Sequence, residues 1–221
     1  MQKQARAITT NQIGIHPNLE KVVSRHLATS SQKPFSEHTQ VAFKQTMQWL
    51  NGWQGPIILD SCCGVGESTT NIAASHPEAK VIGVDKSALR TDKHASYAAD
   101  LDNYLIVRAD LNDFLRLLVL EGIQLYKHYL LYPNPYPKSA HLQRRWYATA
   151  VLPEIIKLGG QLQVRSNWRL YIEEFSKALD IAQVNNTVYE YTSDSAMTPF
   201  ERKYWLSGQQ SWQVTAELPT A

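Results

Sequence analysis

The stretch Pro56-Ile57-Ile58-Leu59-Asp60-Ser61-Cys62-Cys63-Gly64-Val65-Gly66-Glu67-Ser68 decides the fold. A short apolar run closed by an acid and a glycine turn predicts a buried strand, because so few residues cannot complete a helix. Gly64 and Gly66 let the backbone turn tightly and approach a ligand with no Cβ in the way. The pattern beyond them predicts a helix that ends at Ser75-His76-Pro77 and offers free amides at its start. A strand followed by Gly-x-Gly is also plain punctuation, and Thr69 stands where a full G-x-G-x-x-G would place its third glycine.

Outward from this unit the pattern repeats in kind. Lys80 to Asp85 predicts a second strand, Ser87 to Ala99 a second helix, Tyr104 to Val107 a third strand and Leu111 to Glu121 a third helix. A fourth strand fits Lys127 to Tyr132, and a fifth fits Gln161 to Val164 after Gly159-Gly160. Strands alternating with helices predict an α/β fold of right-handed βαβ units, with a doubly wound, mostly parallel sheet. Toward the N-terminus, residues Asn18–Ser30 and Glu37–Trp49 carry apolar side chains at helical spacing, Val41, Met47 and Leu50 among them, with Ser36 placed as a cap. The expected organisation is a helical lead-in over residues 1–54 and one α/β domain over 55–221.

The 221 residues are 43% hydrophobic and 19% charged, with 10 Gly and 10 Pro, which excludes fibrous and disordered architectures. Lys and Arg exceed Asp and Glu only by 22 to 20, so a nucleic-acid partner has to be held by a local basic patch. Cys62 and Cys63 are adjacent, which offers neither a framework disulfide nor a C-x-x-C pair and fits a reducing compartment. The N-terminal residues lack a signal-like apolar stretch, and runs such as Leu117–Leu120 are too short for a bilayer, so a cytoplasmic protein without membrane contact is expected. The seven histidines never fall in H-x-x-x-H spacing, and no metal is expected.

In a doubly wound sheet, ligands sit at the carboxyl ends of the strands where the order reverses. The first three predicted strands end in or just before Asp60, Asp85 and Asp110. An acid at the second of these places accepts the hydroxyl protons of a ribose, although each aspartate is equally placed to cap the helix that follows. The fourth strand runs into Tyr132-Pro133-Asn134-Pro135-Tyr136-Pro137-Lys138 and then Arg144-Arg145. Alternating prolines stiffen this loop, Tyr132 and Tyr136 offer faces for a flat base, and Lys138, Arg144 and Arg145 supply charge for phosphates.

These motifs resemble those of the tRNA (guanine-N7)-methyltransferase family, a branch of the class I S-adenosylmethionine-dependent methyltransferases. The proline loop with Arg144-Arg145 is similar to the family's F-P-D-P-W-P-K…R-R, Ser166-Asn167-Trp168-Arg169-Leu170-Tyr171 to T-D-W-x-x-Y, and Thr198-Pro199-Phe200-Glu201-Arg202 to T-K-F-E-x-R. The resemblance covers Asp60 to Trp212, about two-thirds of the chain. It implies a Rossmann-like seven-stranded sheet with an antiparallel last strand from Ser211, S-adenosylmethionine as cofactor, and methylation of N7 of a guanine in the variable loop of tRNA. By the same resemblance, residues 55–221 are the methyltransferase domain. Asp60, Gly64, Gly66, Asp85 and Asp110 match cofactor positions. Lys138, Arg144, Arg145, Asn167, Thr198 and Glu201 match substrate positions, and Asn134 stands at the place of the catalytic aspartate.

Several positions depart from the family. Cys62 replaces its first glycine, Asn167 the acid of T-D-W, and Ser207-Gly208-Gln209-Gln210 the glycine-histidine that follows the C-terminal motif. Guanine N7 carries a free lone pair, so no proton has to leave before attack, but positive charge grows on the ring and a carboxylate would stabilise it. A neutral Asn134 gives up about 1–2 kcal/mol of that, on the order of tenfold in rate, unless Glu201 or Asp110 supplies the charge. Two other readings stay open. Asn134-Pro135-Tyr136 is similar to the N-P-P-Y of methyltransferases acting on exocyclic amines, with Tyr136 where the second proline would stand. The loss of acids at 134 and 167 also fits a tRNA-binding protein that keeps the fold without the reaction. The oligomeric state is open between monomer and homodimer.

Overall fold

The computed structural model describes residues 4–219. The first three residues of the expected lead-in and the last two of the expected domain lie outside it. Two helices, α1 (Leu19–Leu27) and α2 (Glu37–Leu50), precede the sheet. The sheet begins with β1 (Ile57–Ser61), whose five residues are all buried, as expected for a strand covered on both faces. It is followed by α3 (Glu67–Ser75), β2 (Lys80–Asp85), α4 (Ala88–Thr91), β3 (Tyr104–Arg108), α5 (Leu111–Leu120) and β4 (Lys127–Leu131). Then come α6 (Leu152–Lys157), β5 (Gly160–Ser166), α7 (Arg169–Ile181), β6 (Asn186–Tyr191), α8 (Pro199–Leu206) and β7 (Ser211–Leu218).

The seven strands form one sheet in the order β3-β2-β1-β4-β5-β7-β6. The first five in that order are parallel, and β7 runs antiparallel to both β5 and β6. The chain builds outward from β1 through β2 to β3, then returns to the other side of β1 with β4. That reversal opens a crevice at the carboxyl ends of β1 and β4. Ser61 stands opposite Val84 of β2 and Leu130 of β4, so the loops after these strands leave the sheet together.

One face of the sheet packs Ile58, Val81, Tyr129 and Leu131 against Ile72 and Ala73 of α3. The other face, with Leu59, Ile82, Leu130 and Val164, belongs to a larger core that includes Val23 of α1, Phe43 of α2, Phe114 of α5 and Phe175 of α7. The lead-in helices are therefore part of the same hydrophobic core as the sheet. Phe43 meets Phe114 edge to face at 5.5 Å.

Three local expectations change. The helix expected over Ser87–Ala99 stops at Thr91 and is followed by a single 3-10 turn at His94–Ser96. Neither piece buries a residue, and a polar segment without an apolar face has no packing to extend it. In α2, Val41 is exposed, and the inward face is Thr39, Phe43, Thr46 and Leu50. The two threonines belong there because their hydroxyls are satisfied: Thr39 Oγ1 accepts from the Asp110 amide at 3.0 Å and Thr46 Oγ1 donates to the Ala42 carbonyl at 2.9 Å. Ser36 occupies the N-cap of α2 without capping it, since its amide and hydroxyl both reach Asp113 Oδ2 at 2.9 Å. Among the described residues, no helix is long and apolar enough to cross a membrane.

Candidate active site

The carboxyl ends of β1 to β4 surround one cavity of about 850 Å³. The turn after β1 forms its floor. Cys62 and Gly64 both sit at φ 63°, and Gly66 at 79°. A side chain at positive φ costs about 1–2 kcal/mol, so Cys62 holds, under strain, a conformation that glycine adopts freely. Burial and the neighbouring aspartates push the Cys62 thiol up to about 12, leaving it protonated and unreactive. Nothing lies within 4 Å of where a Cβ would stand on Gly64, so the backbone there faces open space. Gly66 differs: a Cβ would stand 2.5 Å from His94 Nδ1, and the residue does not line the cavity.

The three strand-end aspartates divide their work. Asp85 lines the cavity, and its Oδ1 accepts from the Ser87 amide at 2.8 Å and Arg90 Nη2 at 2.9 Å. Its Oδ2 accepts from the Gly64 amide at 3.1 Å, which locks the glycine turn to β2. A carboxylate has about four acceptor sites, so one remains. Asp110 also lines the cavity, and its Oδ1 caps α5 through the amides of Asn112 and Asp113 at 3.0 and 3.4 Å. Asp110 Oδ2 makes no hydrogen bond among the described residues. Asp60 is fully buried behind the turn and does not line the cavity. Its Oδ2 accepts from Ser68 Oγ at 2.6 Å and Thr69 Oγ1 at 2.7 Å, while Oδ1 has no partner. Burial, outweighing those hydrogen bonds, raises its pKa to about 6.

The facing wall is the proline loop and the start of α8. Tyr132 and Tyr136 have φ of 50° and 44°, and together with Cys62 they place three of the five described non-glycine residues of positive φ on this one cavity. Such conformations cost about 1–3 kcal/mol each and persist only where the surroundings enforce them. Tyr132 Oη donates to Glu201 Oε1 at 2.8 Å and lies 2.6 Å from Ser211 Oγ. Burial, reinforced by Glu201, holds that phenol well above the ordinary tyrosine range. Asn134 is exposed on the cavity rim, and its Oδ1 accepts from the Tyr136 amide at 3.3 Å. The amide nitrogen and one oxygen lone pair remain for a ligand. Thr198 lines the cavity and caps α8 by accepting from the Glu201 amide at 2.9 Å.

Four sequence expectations take a different form. Arg145, expected to face phosphate, is completely buried and paired with Glu174, so it has no access to solvent or RNA. Glu201 is equally buried and paired with Arg165 Nη1 at 3.2 Å, so its charge is already neutralised and it does not reach the cavity. Asn167 stands off the cavity, donating to Gln209 Oε1 at 2.8 Å. Two departures from the family motifs thus satisfy each other. Lys138 is exposed but outside the lining, whereas Arg144 is exposed on it, 5.9 Å from the Tyr136 ring centre.

The cavity also holds residues that were not singled out in the sequence. Lys86, Arg90 and Lys93 bring basic groups to the wall beside Asp85. Phe200, 47% exposed, stacks on Tyr204 at 6.2 Å, and Tyr204 meets Tyr132 at 5.4 Å, so an aromatic ladder runs from the sheet to the cavity mouth. Arg90 lies five positions after Asp85, a local signal that was available. Phe200 stands in the Thr198–Arg202 motif, although the motif did not single it out from its neighbours.

A family model described as "Putative methyltransferase" matches residues 54–214. The chain belongs to this methyltransferase family. It is 29% identical over 180 residues to a tRNA (guanine-N(7)-)-methyltransferase of Nitrosomonas eutropha, covering 76% of this chain and 75% of that one. A protein of the same name from Yersinia pseudotuberculosis is 25% identical over 205 residues, covering 87% and 85%. Among solved structures, the 16S rRNA methyltransferase KamB superposes with a TM-score of 0.60 at 16% identity over 85% of this chain and 96% of that one. A 16S rRNA adenine-N1 methyltransferase from Catenulisporales acidiphilia, solved with its cosubstrate SAM, superposes with a TM-score of 0.55 at 16% identity, covering 80% and 91%. At these identities the structural likeness establishes the fold. The family model begins at residue 54, so α1 and α2 lie outside it.

Proposed function

We propose that this methyltransferase uses S-adenosylmethionine to methylate N7 of a guanine in the variable loop of tRNA, in the cytoplasm. The observation that carries the proposal is the meeting, around one cavity, of the acids at the end of β2 and just after β3 with the strained proline loop after β4. The names of the relatives supply the acceptor.

The residues present fit the donor. Asp85 keeps one acceptor site for a ribose hydroxyl and Asp110 keeps Oδ2 for the nucleoside. The open space beside Gly64 admits a ligand against the backbone. Bound there, S-adenosylmethionine supplies an electrophilic methyl group. The protein then has to align the acceptor, exclude water and tolerate the positive charge that develops on the purine. Tyr136 and Phe200 offer aromatic faces to hold the base, and Asn134 offers an amide to orient it. With Glu201 neutralised by Arg165, the carboxylates on the cavity are Asp85 and Asp110, both on the donor side, and the acceptor side answers the developing charge with the Asn134 amide oxygen. Lys138 and Arg144 extend outward for the RNA backbone.

Incubation with unmodified tRNA and S-adenosylmethionine, followed by nucleoside mass spectrometry, tests the proposal. The expected product is 7-methylguanosine. N6-Methyladenosine would move the acceptor to an exocyclic amine. Undiminished tRNA binding with no methylated nucleoside would leave an RNA-binding module without the reaction.

A further inference from the structure

We infer that residues 5–16 form a strap that holds the proline loop in its working shape, with Gln12, Arg145 and Glu174 as positioning residues. The inference rests on the proposed function for its catalytic consequence, but its structural content stands independently. The strap bonds to two backbone groups of the loop, one on either side of Lys138. Thr10 Oγ1 donates to the Pro137 carbonyl at 2.5 Å, and Asn11 Oδ1 accepts from the Ser139 amide at 3.0 Å. Beneath them, Arg145 Nε donates to the Tyr136 carbonyl and Nη2 to the Lys138 carbonyl, both at 3.2 Å. Four backbone groups, the carbonyls of Tyr136, Pro137 and Lys138 and the amide of Ser139, are therefore held from two sides.

Arg145 is itself held. Its Nη2 donates to Gln12 Oε1 at 3.0 Å, and its Nη1 donates to Glu174 Oε2 at 2.5 Å and to Tyr147 Oη at 3.3 Å. Counting both loop carbonyls, all five guanidinium N–H groups have acceptors. Glu174 Oε1 accepts from Gln12 Nε2 and from the His16 amide, each at 2.7 Å, so the same carboxylate grips the strap and the arginine. At its far end the strap binds the other motif of the acceptor wall. The Ala5 amide donates to Ser207 Oγ at 2.9 Å, and the Ala5 carbonyl accepts at 3.0 Å from Gln209 Nε2, whose Oε1 holds Asn167. A loop containing two tyrosines at positive φ needs such over-determination, and a simple surface tail would not supply it.

The test uses the full chain carrying Thr10→Val, Asn11→Ala and Gln12→Ala together, and Asn11→Ala alone in case the triple variant folds poorly. Hydrogen exchange of peptides covering residues 134–142 should quicken about tenfold or more in the triple variant, with the strands β1 and β2 unchanged. With tRNA as acceptor, kcat should fall about tenfold while the Kd for S-adenosylmethionine stays within twofold, because misplacing the acceptor loop costs alignment and leaves the donor pocket alone. The single variant should move in the same direction by a smaller factor. Unchanged loop exchange in both variants would overturn the strap, as would a loss of donor affinity in proportion to kcat. If the wild-type chain methylates no tRNA, the proposed function fails while loop exchange still decides for or against the strap.

Discussion

Asp85 and Asp110, on the cavity wall built by β1 to β3, each keep an acceptor site unused, whereas Glu201 and Glu174, behind the wall that follows β4 and β5, are both taken up by buried arginines. The first wall is built to receive hydroxyls and amines. The second presents amides and aromatic faces, with its charges turned inward as structure. On the proposed function the first wall takes the donor and the second the acceptor, and the difference teaches that one fold can carry two walls held by different means. The donor wall needs only strand ends and a glycine turn, which local sequence specifies. The acceptor wall depends on ion pairs between residues far apart in the chain, and it changes when one partner changes.

The comparison breaks most visibly if the buried pairs of the second wall are not structural. Glu174→Ala leaves Arg145 charged and fully buried with its main partner gone, and should cost about 3–5 kcal/mol in denaturant unfolding. A loss within experimental error of zero would mean that the acceptor wall is not held as described. Next in size is the pH dependence of Asp60. Its pKa is raised in the folded state to about 6 from an unfolded value of 3.8, so between these limits the folded chain binds the extra proton. Stability is then greatest below about pH 4 as far as this group is concerned, falls as pH rises through 6, and is flat above, by on the order of 3 kcal/mol. Asp60→Asn should remove that slope from the pH profile of unfolding. A slope that survives would assign it to other groups.

Asn134→Asp sharpens the contrast between the walls by restoring a carboxylate to the acceptor side. It should raise 7-methylguanosine formation on the order of tenfold, from about 1–2 kcal/mol of added stabilisation of the developing charge. No change, or a fall, would show that the acceptor wall has been rebuilt around the amide. The smallest effects belong to the rim. Lys138→Ala and Arg144→Ala should each lower the slope of log K for tRNA against log salt by about 0.7–0.9, one phosphate contact apiece. An unaltered slope would remove that residue from the RNA interface.

The same contrast sets how much was legible in the sequence. The strands β1, β2 and β4 were readable as apolar runs buried on both faces and the half-buried edge strand β3 as a short apolar run between helical patterns, and the aspartates at or just after the ends of β1 to β3 marked the side on which the cavity opens. Their division of labour was not readable, since Asp60 and Asp85 differ in burial and partners rather than in local pattern. Arg144 and Arg145 are neighbours with the same chemistry, yet a 3-10 turn ending at Arg144 leaves that side chain in solvent, while Arg145 enters the core. Partners remote in the chain distinguish them, Glu174 29 residues after Arg145 and Gln12 133 residues before it. Glu201 likewise looked free because its partner Arg165 lies 36 residues earlier. In α2, apolar spacing pointed to Val41, although the buried face uses threonines whose hydroxyls find partners elsewhere.

Calorimetric titration with S-adenosylmethionine, comparing the wild-type chain with Asp85→Ala, tests the central claim most directly. One molecule should bind per chain, and the variant should bind about 10- to 100-fold more weakly, the worth of hydrogen bonds to a charged acceptor. No heat of binding to the wild-type chain, or equal affinity in the variant, would contradict a donor pocket at the carboxyl ends of β1 to β3.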